Sequence, residues 1–125
     1  MRGALATAYP PRMHKLAPSE LHEHEALALV ALVRQLVVAD GVVTVAELAQ
    51  MNEVGQQLGV ATYARIAARM EEHPVTVEHT LSLAATVTRE GARALTLDLL
   101  DALAGADGLD ATETALLDRV RLLWR

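Results

Sequence analysis

The chain has 125 residues, 16 acidic against 11 basic, and is 52% hydrophobic but only 2% aromatic, with no Phe and no Cys. That length suffices for one domain with a sizeable core, necessarily aliphatic, and its Ala and Leu are strong helix formers, so an all-α fold is expected. The acidic balance and the shortage of stacking aromatics argue against nucleic-acid binding, while the lack of Cys excludes disulfides, thiolate metal sites and cysteine nucleophiles.

Residues 1–17 carry Arg2, Pro10, Pro11, Arg12 and Lys15 without sustained periodicity and read as a flexible or loosely docked arm, attached through Leu16. Ala4–Tyr9 is too short and too interrupted for a signal segment. The longest unbroken apolar run, Ala26–Val33, falls far short of the roughly 20 residues that span a bilayer. A cytoplasmic protein without direct membrane insertion is expected.

Residues 18–125 read as a single helical domain. Ser19 is the expected cap of the first helix, with Glu20 and Glu23 suiting its positive end. From Ala26 to Ala39 only Arg34 and Gln35 interrupt the apolar residues, so this helix is expected at the centre. A second helix runs from Val45 to Leu58 and stops at Gly59, a residue suited to a left-handed cap. Gly55 inside it costs about 1 kcal/mol relative to Ala, which points to a close backbone contact. Thr62–Glu72 forms the third helix, with Tyr63, Ile66, Ala67 and Met70 at helical spacing, closed by His73-Pro74. Thr76 caps a short fourth helix through Val87 that buries Val77, Leu81 and Ala84. The fifth runs from Thr88 or Arg89 to Gly105 with Ala92, Leu95, Leu99, Ala102 and Leu103 inward, and the last from Ala111 to Trp124. A compact bundle of about six helices results.

The first and last thirds superimpose as sequences. With Asp40 set on Asp107, Leu32 meets Leu99, Val33 meets Leu100, Leu36 meets Leu103 and Ala39 meets Ala106. One residue is skipped past the turn, after which Glu47 meets Glu113, Met51 meets Leu117, Val54 meets Val120 and Leu58 meets Trp124. The expected bundle is therefore built from two pseudo-repeated helical hairpins.

The turns of that repeat are the candidate chemistry. Asp40-Gly41 followed by Glu47 satisfies the second half of a calcium-loop pattern. The first half fails, because loop positions 1 and 3 fall on Leu36 and Val38. In the second copy only four residues separate Gly108 from Glu113. Capping accounts for both glutamates: Thr44 with Glu47, and Asp110 with Glu113, form capping boxes, and Val43 and Leu48 take the staple positions. Asp40 and Asp107 are less easily absorbed, since a carboxylate after a helix C-terminus opposes the macrodipole. Either each forms an Asx turn with its glycine, or both face an acidic pocket with Glu47, Glu113 and Asp110, an oxygen cluster suited to a hard divalent cation.

Other constellations are weaker. In His22-Glu23-His24-Glu25, helical residues two apart point to opposite sides, so the two imidazoles do not share an ion. Glu20 with His24, or His22 with Glu25, offers two ligands each, and a solvated helix start is the simpler reading. His73 and His79 read as surface residues, and Asp98 with Asp101 as a solvated stripe. His79 and Ser82 share a face, but without a carboxylate placed to orient the imidazole for a triad. The seven Gly form no phosphate-binding pattern. Arg65 with Arg69, and Arg89 with Arg93, are i,i+4 pairs that line a modest basic face suited to acidic partners.

A-D-G-V-V-T-V-A-E leading into a helix that ends Q-Q-L-G-V, together with A-D-G-L-D-A-T-E near the end, resembles the TerB-like family. That family includes tellurite-resistance TerB proteins and the N-terminal domain of a membrane-anchored DnaJ-type co-chaperone. The resemblance covers roughly Ser19 to Trp124. It implies a compact helical domain whose two turns bring acidic residues together around a divalent cation (Ca, Mg or Mn), placing Asp40, Glu47, Asp107 and Glu113 at the site. The second turn is one residue shorter than the first, a departure that bears on Glu113. The implied function is a non-enzymatic interaction module of bacterial type, in tellurite, metal or other stress response. It would carry an exposed apolar or charged groove and bind a partner protein, and a homo-oligomer is also compatible with this reading. The alternative is a metal sensor or metal-handling protein using the acidic cluster.

Overall fold

The computed structural model of the protein describes residues 16–38, 45–73, 76–105 and 111–125. Among these the chain is all-helical. A 3-10 turn at Pro18–Glu20 precedes six α-helices: α1 (Glu23–Val38), α2 (Val45–Leu58), α3 (Val60–Met70), α4 (Val77–Ala84), α5 (Glu90–Gly105) and α6 (Ala111–Leu123). No helix of the described residues is long and apolar enough to cross a membrane.

The nearly unbroken apolar run makes α1 the centre. Ala26 to Val33, Leu36 and Val37 are all buried, which a helix without a polar face achieves only when neighbours surround it. It packs on α2, α3, α4 and α5. Its two polar interruptions reach fixed partners, as burial demands: Gln35 accepts a 3.3 Å hydrogen bond from Thr80 on α4, and Arg34 Nη1 donates to the Met70 carbonyl at 3.1 Å.

Ser19 is not the cap of α1. It lies inside the 3-10 turn, where Glu20 accepts from the Ala17 amide at 2.7 Å. The helix begins later, at Glu23, after His22, whose carbonyl accepts the first helical bond from Ala26 at 2.9 Å and whose amide donates to Glu25 at 2.7 Å. Leu16 packs against the core and lies so near Gly91 on α5 that a Cβ there would come within 3.0 Å of Leu16 Cγ. Residues 1–15 of the arm lie outside the described residues.

Gly59 takes φ of 99°, a value L side chains rarely adopt, and both closes α2 and opens α3. The third helix therefore starts at Val60, two residues before the expected Thr62. Gly55 packs under the Tyr63 ring, where a Cβ would meet ring carbons at 3.2 to 3.4 Å. The close contact inferred from a mid-helix glycine is thus the α2–α3 hairpin contact.

Thr76 caps α4, its hydroxyl accepting from the His79 amide at 3.1 Å. That helix stops at Ala84 instead of Val87, and the Ala84 carbonyl accepts from the Trp124 indole at 2.9 Å. The end of α6 is thereby tied to the end of α4. On α5 the inward face is rotated from the expected one. Ala92, Leu95, Thr96, Leu100 and Leu103 are buried, Leu99 is half-buried and Ala102 is exposed. Thr96 is tolerated inside because its hydroxyl donates to the Ala92 carbonyl at 2.8 Å.

Candidate functional site

Of the four acidic residues expected to hold a cation, Asp40 and Asp107 lie outside the described residues, as do the caps Thr44 and Asp110. Glu47 stands in the first turn of α2, its side chain likewise undescribed. Glu113 is described, and it is buried in the first turn of α6. Among the described residues no three His, Asp or Glu side chains group as metal ligands would.

The charged face expected at the start of α1 is a set of internal ion pairs. Glu25 is fully buried and accepts from two nitrogens on one edge of the Arg89 guanidinium, Nε at 2.8 Å and Nη2, while Arg89 also donates to the Glu20 carbonyl at 3.2 Å. This fork binds the 3-10 turn and α1 to the residue preceding α5, the bidentate geometry to which Arg is suited. Arg89, assisted by the His22 amide and opposed by burial, holds the Glu25 carboxyl well below its ordinary range, at about 2. The carboxylate in turn raises Arg89. Glu23 accepts from Arg69 and Arg65 on α3, which lower its pKa. Arg93 donates to the Val87 carbonyl at 2.8 Å and lies 5.9 Å from the Trp124 ring centre. The arginine pairs read as a basic face are thus spent within the fold.

The histidines also differ from expectation. His22 precedes the helix, so it does not oppose His24; their rings lie 5.9 Å apart. His73 and His79 are half-buried, with Nδ1 of the first 2.6 Å from Nε2 of the second. Their ring centres are 4.8 Å apart, so the nitrogens meet edge to edge in a hydrogen bond. Ser82 donates to the His79 carbonyl at 2.6 Å instead of its ring. Asp101 leaves its stripe to accept from Arg121 on α6 at 2.6 Å.

What opens to a ligand is a groove between α1, α2 and α3 of about 230 Å³. Its floor is Val30, Val33 and Arg34 of α1, its walls Met51 and Val54 of α2 facing Tyr63, Ala67 and Met70 of α3, with Glu71 at the rim. The groove exists because Gly55 draws one end of the α2–α3 hairpin together, while small Ala67 leaves room further along. Apolar walls with few polar groups form a binding site for apolar side chains, and Met adapts to their shape. None of these residues stood out in the sequence as more than core positions. The signals present were the glycine opposite an aromatic and an arginine inside an apolar helix.

Compared with known proteins, the chain matches no family model, no curated protein and no solved structure at a significant level.

Proposed function

We propose that the protein is a non-enzymatic interaction module of TerB-like type, serving tellurite, metal or another stress response in a bacterial cytoplasm, and that it works by receiving an apolar segment of a partner. The observation that carries this reading is the open, largely apolar groove of about 230 Å³ between α1, α2 and α3. The TerB-like, pseudo-repeated architecture draws support from matched burial in the two hairpins. Val33 and Leu100, Leu36 and Leu103, Val54 and Val120, and Leu58 and Trp124 are buried pair by pair, whereas Leu99 and Met51 are half-buried where their counterparts Leu32 and Leu117 are buried. A photo-crosslinking phenylalanine analogue in place of Tyr63, inside the groove, should yield a discrete protein adduct in cells. The same analogue at exposed Ala64 on the next position should not. Equal labelling from both positions, or from neither, would sink the proposal.

A second reading, a divalent-cation sensor, has one observation in its favour: Glu113, a carboxylate kept from solvent beside the second turn. Excess calcium, magnesium or manganese should then raise the melting temperature by several degrees, because a ligand bound only by the native state stabilises it. The rise should vanish when Asp40→Asn and Asp107→Asn are combined. Melts that no ion moves would eliminate this reading.

A further inference from the structure

The groove is apolar inside apart from Arg34 on its floor, and acidic at one rim, where Glu71 stands. Glu71 and Glu72 are exposed where α3 ends, and the negative end of the helix dipole adds to their charge. The nearby cations are engaged: Arg34 donates to the Met70 carbonyl, and Arg65 and Arg69 turn to Glu23. The fitting occupant is therefore a helix with exposed apolar residues flanked by arginine.

The end of α6, none of whose residues lines the groove, presents one. At the end of α6, Leu122 is 61% and Leu123 41% exposed, beside exposed Arg119 and Arg125. The next residue, Trp124, is buried and bonded to the Ala84 carbonyl, so the two leucines are displayed from a fixed end. A cavity of about 150 Å³ holds a benzene-sized group, so the groove has room for one or both leucines. The groove belongs to α1, α2 and α3, whereas α6 packs on α4 and α5. The match is consequently met between molecules.

We propose that the groove receives the α6 end of a second copy of this chain, Leu122 and Leu123 entering between Met51 and Tyr63 while Arg119 or Arg125 reaches Glu71 and Glu72. The contact is head-to-tail, so it propagates or closes into a ring, and its small size makes it transient. It rests on the reading of the groove as an interaction site and names the occupant.

Light scattering coupled to size exclusion tests it on the full chain. The apparent mass of the wild type should rise with protein concentration and fall with added salt. Met51→Glu, which blocks the groove, and Leu122→Glu, which spoils the inserting end, should each be monomeric with unchanged helicity. Mixed together they should form a 1:1 dimer, because one retains an intact end and the other an intact groove. Glu71→Arg serves as a milder groove variant should Met51→Glu unfold, and it should restore association when paired with Arg119→Glu and Arg125→Glu. A wild type monomeric at all concentrations overturns the proposal, as does self-association that survives in either single variant. If copies stay monomeric while Tyr63 crosslinks to a different protein, this inference fails and the interaction-module reading stands.

Discussion

Leu32→Ala is expected to lower the unfolding free energy by about 3–5 kcal/mol, the range for truncating a leucine in a core that does not collapse around the gap. Leu32 is fully buried at the middle of α1, the helix against which α2, α3, α4 and α5 pack, so the gap has walls on several sides. Since a domain of this size has about 5–15 kcal/mol in total, the variant should unfold at a much lower urea concentration with little change in slope. Leu122→Ala, removing the same atoms from an exposed position, should change stability by no more than about 0.5 kcal/mol. Comparable losses from both would contradict the central placement of α1.

Acid should unstitch the protein through Glu25. Its carboxyl titrates at about 2 in the fold against an ordinary 4.5, chiefly because Arg89 bonds it. A group whose pKa is depressed by folding contributes fully above its unfolded value and loses that contribution as pH falls towards its folded value. The window is therefore pH 4.5 down to about 2. The lowering corresponds to about 3 kcal/mol, reduced to about 2 kcal/mol because Arg89 is 37% exposed and solvent screens the pair. Urea titrations should show stability falling across that window, and Glu25→Gln should remove about 2 kcal/mol at pH 7 and flatten the acid limb. Arg89→Met leaves the buried carboxylate without its fork, so the Glu25 pKa should rise. An acid limb unchanged by Glu25→Gln would show that other carboxylates govern it. Glu23, exposed with its two arginines, adds a weaker contribution of the same sign.

Most helix boundaries were legible because their causes are local. Thr76 caps α4 through an amide three residues on, Gly59 supplies a positive φ between two helices, and an apolar run without a polar face has no place but the centre. The start of α1 was misplaced for an equally local reason. Pro18 opens a 3-10 turn that ends at Glu20, and the helix cannot begin until the chain leaves it at Leu21. The inward face of α5 was misjudged at Ala102 because small residues fit either side of an amphipathic helix, and contact with α1 decides which turns in.

The candidate site was less legible. His22 to Glu25 looked like a solvated start because Arg89 lies 64 residues further along the chain, and no local pattern announces such a partner. The same holds for Glu23 with Arg65 and Arg69. The two acidic turns were conspicuous as a repeated motif, whereas the groove is made of residues that each look like ordinary core.

By itself the sequence determined an aliphatic, all-helical chain, the central position of α1, the capped start of α4 and the break between α2 and α3. Each follows from backbone preference or from the periodicity of apolar residues within a few turns. Only the tertiary structure decided which acids and bases neutralise one another, that His73 meets His79, and that α1, α2 and α3 leave an apolar groove open. Those outcomes depend on how helices cross, and crossing is settled by packing between residues far apart in the chain.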